Sequence, residues 1–322
     1  VKLEEIKRTT MIGAGTMGSG MGLCFAQAGY EVMLYDVKPE QLEGALNRVK
    51  NSQAVLIKEG IVSERAAREA RERIRVTTSL EEALDGVQFV LEAAPETIEI
   101  KHKLFRELEA LCPEETILAT NTSGLSISAI ASVCRRPERV GGMHWVNPPE
   151  LVPLVEVIKG EKTSEETLTL IYAVAGKLGK VPVLIRKDVP GFGLNRLQFA
   201  VLREALHLVE TGVLTPEDVD LTMKCGLGFR YSWLGPLETA DLGGLDVFHS
   251  VASYLFKDLS DVKSPPESFS RLVAEGRLGI KSGRGFYDYE TGSREEILRR
   301  RDAYFVRQWQ LIQAVRGDKK LA

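Results

Sequence analysis

Along the first 190 residues, short apolar runs alternate with longer stretches in which apolar positions return every three or four residues. Runs at residues 9–13, 31–36, 87–93, 116–120, 140–144, 154–158 and 181–185 read as strands. They are brief and nearly continuous in apolar character, which suits a sheet covered on both faces. Between them the spacing predicts helices over 19–28, 39–59, 63–73, 98–111, 126–133 and 164–178. Gly29 just past the first helix and Pro39 at the start of the second are the residues expected at such ends. Strand–helix–strand alternation implies an α/β class with a doubly wound, mostly parallel sheet.

The pattern changes after Lys187. Val189-Pro190-Gly191 is a breaker cluster, and beyond it the chain shows helical periodicity and no strand. We therefore expect two domains, 1–188 and an all-α domain over 189–322, as suits a chain of 322 residues. Residues 193–210 are apolar nearly all round, with Leu194, Leu197, Phe199, Val201, Leu206 and Val209 on different sides. Such a helix is covered on more than one side. In a small helical domain the readiest cover is a second copy of the chain, so a homodimer is expected.

Composition narrows the class. With 44% hydrophobic and 27% charged residues, the chain is neither a disordered tail, a fibre nor a membrane bundle. Lys and Arg number 42 against 45 Asp and Glu, a balance of -3. That leaves no basic stripe for nucleic acid, and Arg299-Arg300-Arg301 reads as a solvated helix face. Residues 9–30 carry no charge over a membrane-spanning length, but six glycines with Thr, Ser and Gln argue against a membrane segment. Glu4 and Glu5 argue against an export signal. Cys24, Cys112, Cys134 and Cys225 are scattered without a C-x-x-C pair. No disulfide framework or metal site is expected, and a reducing, cytoplasmic location is.

Two features carry chemistry. Gly13-Ala14-Gly15-Thr16-Met17-Gly18 follows a strand and opens a helix, and Asp36 closes the next strand 18 residues after Gly18. In that setting the glycines allow a tight turn and a close approach of backbone to a pyrophosphate. The helix N-terminus faces the phosphates. Asp36 would accept hydrogen bonds from ribose hydroxyls and repel a 2′-phosphate, which favours NAD over NADP. A structural glycine turn is the plain alternative. The second feature is His144 at a strand's carboxyl end, with Glu156 interrupting the apolar run 151–158. A buried carboxylate needs a partner, and an imidazole held by one is a general base. A core histidine and a solvated glutamate would explain the same residues. Ser123 also falls at a strand end, where Asn121-Thr122-Ser123-Gly124 would otherwise serve to cap the helix at Ser126. Asn195 opens the apolar helix. Glu92 and Glu96, with Lys101 beyond them, suit a nicotinamide edge or a surface pair.

With these residues in view, the chain resembles the L-3-hydroxyacyl-CoA dehydrogenase family over essentially its whole length. The resemblance is carried by residues 13–20, Glu92-Ala-Ala-Pro-Glu96 with Lys101, Asn121-Thr-Ser123 and His144-x-x-Asn147-Pro with Glu156. It continues through residues 187–196 and 279–287. It implies a Rossmann-type domain followed by a helical domain that dimerises. His144 would be the catalytic base and Glu156 its partner. Ser123, Asn147 and Asn195 would contact substrate, and Glu96 and Lys101 would border NAD. The implied reaction is reversible NAD-dependent oxidation of a short-chain 3-hydroxyacyl-CoA to the 3-oxo compound, as in fatty acid metabolism. Ser52, and Lys58 nearby, fall where CoA-using relatives contact the nucleotide. The chain departs from those relatives at Trp145-Val146 and in a longer loop over 228–238 that holds Arg230. There it is similar to the branch of lambda-crystallin, L-gulonate 3-dehydrogenase and the pyridine-ring hydroxymethyl acid dehydrogenases. That branch implies a free hydroxy acid as the alternative substrate, with Arg230 binding its carboxylate. A structural, crystallin-like NAD-binding protein is the remoter alternative.

Overall fold

Residues 1–289 and 294–316 are described in a computed structural model. Eight strands form one sheet: β1 (Arg8–Ile12), β2 (Glu31–Tyr35), β3 (Ile74–Thr77), β4 (Phe89–Glu92), β5 (Ile117–Thr120), β6 (Val140–Trp145), β7 (Leu154–Ile158) and β8 (Val181–Ile185). Their order is β3-β2-β1-β4-β5-β6-β7-β8. Every neighbouring pair is parallel except β6 with β7. The order reverses between β1 and β4, and that switch point is where an open α/β sheet binds its ligand.

The period of two along each strand sends alternate residues to opposite faces. Met11, Phe89, Leu91 and Ala119 join one core with α1 (Thr16–Gln27), α2 (Pro39–Lys58) and α3 (Glu64–Glu72). Ile12, Val90 and Leu118 join the other with α4 (Leu80–Leu84), α5 (Ile98–Leu111) and α6 (Ile127–Ala131). Helix α7 (Glu165–Lys177) belongs to the first core through Leu168, Ile171 and Val174. Strand β3 and helix α4 were not legible in the sequence. As an edge strand, β3 carries the exposed Arg75 and lacks a continuous apolar run.

Helix α8 (Leu194–Glu210) follows. The chain divides into two compact units, one of Val1–Arg196 with Asp302–Trp309, the other beginning at Leu197. The first unit thus runs past the breaker cluster into the first turn of α8, because that turn is hydrogen-bonded to β7 and to the loop after β5. The second unit holds the rest of α8 with α9 (Pro216–Thr222), α10 (Gly228–Tyr231), α11 (Pro236–Gly243), α12 (Leu245–Leu255) and α13 (Glu267–Ala274). Among the described residues it contains isolated bridges but no strand. A last helix, α14 (Arg294–Arg316), carries Arg299–Arg301. Helix α8 is largely exposed rather than covered on several sides. Leu206 is its one buried residue, while Leu197 is 65% and Phe199 58% exposed. Residues 9–30 form β1, the glycine turn and α1, and among the described residues no helix is long and apolar enough to cross a membrane.

Candidate active site

The glycine-rich turn lies at the switch point. Gly13 has φ +97°, and a Cβ there would stand 2.7 Å from the Ala93 carbonyl oxygen beyond β4. A Cβ on Gly18 would overlap the Gly13 carbonyl. Beside Gly15 nothing lies within 4 Å, so the backbone is open to a ligand. Gly15 caps α1, and no side chain closes that helix N-terminus, which leaves the Thr16, Met17 and Gly18 amides for an anion. Asp36 is already oriented: Oδ2 accepts from the Ala14 amide at 2.9 Å and Oδ1 from Lys38 at 3.1 Å. The residues present fit a dinucleotide with free ribose hydroxyls.

Sequence reasoning missed Arg48. From α2 its Nη2 donates to the Ala14 carbonyl at 2.5 Å, and its Nε to the Ser19 hydroxyl at 3.2 Å. Ala14 is therefore held at its amide by Asp36 and at its carbonyl by Arg48. The available signal was Gly44 in mid-helix, one turn before Arg48, where a Cβ would meet the guanidinium at 2.9 Å.

At the other end of the sheet, the antiparallel pairing of β6 and β7 sets His144 directly opposite Glu156. Nδ1 lies 2.8 Å from Oε2 of Glu156, and both side chains are nearly fully buried. The second carboxylate oxygen accepts the Gly193 and Leu194 amides, each at 2.8 Å. Burial pushes the Glu156 carboxyl up, but the bonds from His144, Leu194 and Gly193 outweigh it and hold it below the usual carboxylate range. With Nδ1 committed, the position left to accept a proton is Nε2.

Between these two features sits a second buried network. Lys101 reaches Glu92 at 2.7 and 2.9 Å and Glu96 at 3.5 Å. Glu92 also accepts the Thr120 hydroxyl at 2.6 Å and the Ala94 amide at 2.7 Å. Lys101 is wholly buried. Glu96 is the exposed member, and it accepts the Thr122 hydroxyl and the Ser123 and Gly124 amides. Burial raises the Glu96 carboxyl, and the Thr122 hydroxyl, Lys101 and the two amides lower it further than that.

Ser123 is exposed at the end of β5, and Asn195 donates to its carbonyl at 2.9 Å. The helix cap is Ser126, which accepts the Ala129 amide at 3.1 Å, so Ser123 is free of that duty. Asn147 is exposed just beyond β6. Ser52, on α2, donates its hydroxyl to the Glu150 carboxylate. Lys58 is exposed at the end of α2, and Arg230 is exposed on α10 in the second unit. Phe192, also missed, packs its ring 5.7 Å from the His144 ring. Among the described residues no group of His, Cys, Asp and Glu is placed to hold a metal ion.

The sequence and the fold have clear relatives. The 3-hydroxyacyl-CoA dehydrogenase NAD-binding domain matches residues 8–189, and the C-terminal domain of the same enzymes matches 191–289. A probable 3-hydroxybutyryl-CoA dehydrogenase of Bacillus subtilis is 44% identical over 287 residues, 89% of this chain and 98% of the relative. A 5-formyl-3-hydroxy-2-methylpyridine 4-carboxylate 5-dehydrogenase of Mesorhizobium japonicum is 39% identical over 284 residues, 88% of this chain and 91% of the relative. A crystal structure of an enzyme of that name, described as an NAD+-dependent dismutase, superposes with a TM-score of 0.90 at 36% identity, over 96% of this chain and 99% of that one. Domain matches over both halves, a dinucleotide turn at the switch point and a buried His–Glu pair all agree, and the chain belongs to the 3-hydroxyacyl-CoA dehydrogenase family.

Proposed function

We propose that the protein is an NAD-dependent oxidoreductase that oxidises the 3-hydroxyl of a short-chain 3-hydroxyacyl-CoA, reversibly, to the 3-oxo compound. The observation that carries the reading is the 2.8 Å contact between His144 Nδ1 and a Glu156 carboxylate already loaded with two backbone amides. His144 takes the hydroxyl proton at Nε2, and Glu156 stabilises the imidazolium that results. A positioned base of this kind contributes about 10²–10⁴-fold. Ser123 and Asn195, tied together by one hydrogen bond, hold the substrate oxygens, with Asn147 beside them. NAD would be held by residues 13–18 and Asp36 and would supply the hydride acceptor. Glu96 fixes the turn that carries Ser123, and Lys101 supports Glu96.

A free hydroxy acid is the second reading, favoured by the overlap with the pyridine-carboxylate enzyme and by the exposed Arg230, which lies on α10 where the sequence suggested a loop. The test is kcat/KM for 3-hydroxybutyryl-CoA against free 3-hydroxy acids, in the native protein and in Arg230→Met. The CoA ester is expected to win. If free acids win and the substitution removes their advantage, the CoA reading is wrong. Turnover of either kind excludes a purely structural role.

We further propose a homodimer formed through the helical unit, in the cytoplasm. Support for the dimer comes from bare apolar side chains of that unit, among them Leu197, Phe199 and, at 81% exposure, Leu237. Support for the location comes from four cysteines that are all free thiols.

A further inference from the structure

Between β8 and α8 the chain runs Val189-Pro190-Gly191-Phe192-Gly193-Leu194. Gly191 has φ +76°. Phe192, at φ +50°, is the one residue other than glycine with a positive φ among those described. That region is crowded for any residue with a Cβ, and a bulky aromatic stays there only where its surroundings hold it.

Its surroundings are the catalytic pair. The ring is 2% exposed, in a small apolar cluster with Ile127, Ile158 and Ile185. It meets the His144 imidazole at 5.7 Å between centroids, tilted by 57°. The backbone does something separate. Two left-handed residues in succession swing the next two amides, those of Gly193 and Leu194, onto the same oxygen of Glu156. Such a reversal makes a concavity of N–H groups that holds an anion. The approach is close enough that a Cβ on Gly193 would lie 2.9 Å from that oxygen. One residue therefore touches both members of the pair, the imidazole through its ring and the carboxylate through the turn it shapes.

We propose that Phe192 is a positioning residue for this dehydrogenase reaction: its ring bars the imidazole from turning away from Glu156, and its left-handed backbone keeps two amides on the carboxylate. The assignment rests on His144 acting as the base. Two variants separate it from a plain packing role. Phe192→Leu keeps apolar bulk without a flat ring, and Phe192→Gly removes the ring while relieving the backbone.

Each is assayed per NADH-binding site, so that unfolded protein does not count. In Phe192→Leu, kcat is expected to fall about tenfold, within the loss that a misplacement of about 1 Å brings, with KM and the NADH Kd within about twofold. The acidic limb of the kcat–pH profile should move to lower pH, because an imidazolium that swings away loses its carboxylate. Phe192→Gly should show the same fall per site, whatever its melting temperature. A lower melting temperature with native kcat per site and an unmoved acidic limb would overturn the proposal. His144→Gln, run beside them, separates the two failures. If it too retains native turnover, the base assignment has failed; if it is inactive while both Phe192 variants are native, only the role of Phe192 has.

Discussion

Glu92 and Glu156 are both buried carboxylates on one sheet, and they are finished in opposite ways. Glu92 meets an ammonium whose reach is spent on Glu92 and Glu96, with a hydroxyl and an amide on the remaining lone pairs. Lys has donors only, so the partner that Glu92 meets offers no second acid–base position. Glu156 is as well satisfied, by an imidazole and two amides, but the imidazole has a second nitrogen. The first network is closed and the second ends in a reactive atom. Burial of charge alone does not mark a catalytic group; what marks it is a partner with an unspent acid–base position.

The comparison can be broken at three points. The largest effect is expected at Lys101→Met, which leaves Glu92 buried without its cation and should cost about 3–5 kcal/mol of stability. Urea unfolding measures it, and the double variant Glu92→Leu/Lys101→Met should regain a large part. A loss below about 1 kcal/mol in the single variant would mean that the pair is not the closed, interdependent unit described. Next comes His144→Gln, which should fold, bind NADH and lose at least about 100-fold in kcat; turnover near native would remove the open-ended pair from the chemistry.

The smallest effect concerns pH. Glu156 has its folded pKa depressed. Its contribution to stability is therefore complete above the ordinary Glu value of about 4.3 and is lost as pH falls through the lower folded value. Melting temperature measured from pH 6 to pH 3 should fall less steeply in Glu156→Gln than in the native protein. Glu96, also depressed, leaves a residual slope. Equal slopes would show that the Glu156 carboxylate is not held as the geometry implies.

Much of this site was legible in the sequence. Gly13, Gly15, Gly18 and Asp36 announce a dinucleotide turn because tight reversal and close approach are demands on contiguous residues. His144 stood out by its strand end, and Glu156 as the one charge in an apolar run. Lys101 was harder. Nothing in its local pattern distinguishes a solvated helix cation from one buried at the centre of three carboxylate contacts. Arg48 was marked only by Gly44 in mid-helix, since it acts on a carbonyl 34 positions away, and Phe192 acts by a backbone angle that a Phe side chain does not advertise.

The sequence by itself determined the alternation of strand and helix, the place of the glycine turn and the change to helices after Lys187. Those depend on periodicity and on φ preferences over a few neighbouring residues. The tertiary structure alone decided the register. Strands β7 and β8 run opposite to the other six, and the antiparallel pairing of β6 with β7 sets His144 against Glu156. A shift of one residue would have turned the carboxylate to the other face, because side chains alternate with a period of two. The turn into α8 then supplies the two amides, from residues 37 and 38 positions beyond Glu156. Contacts of that span are fixed by which strands pair and which turns fold back, and no local window of sequence contains them.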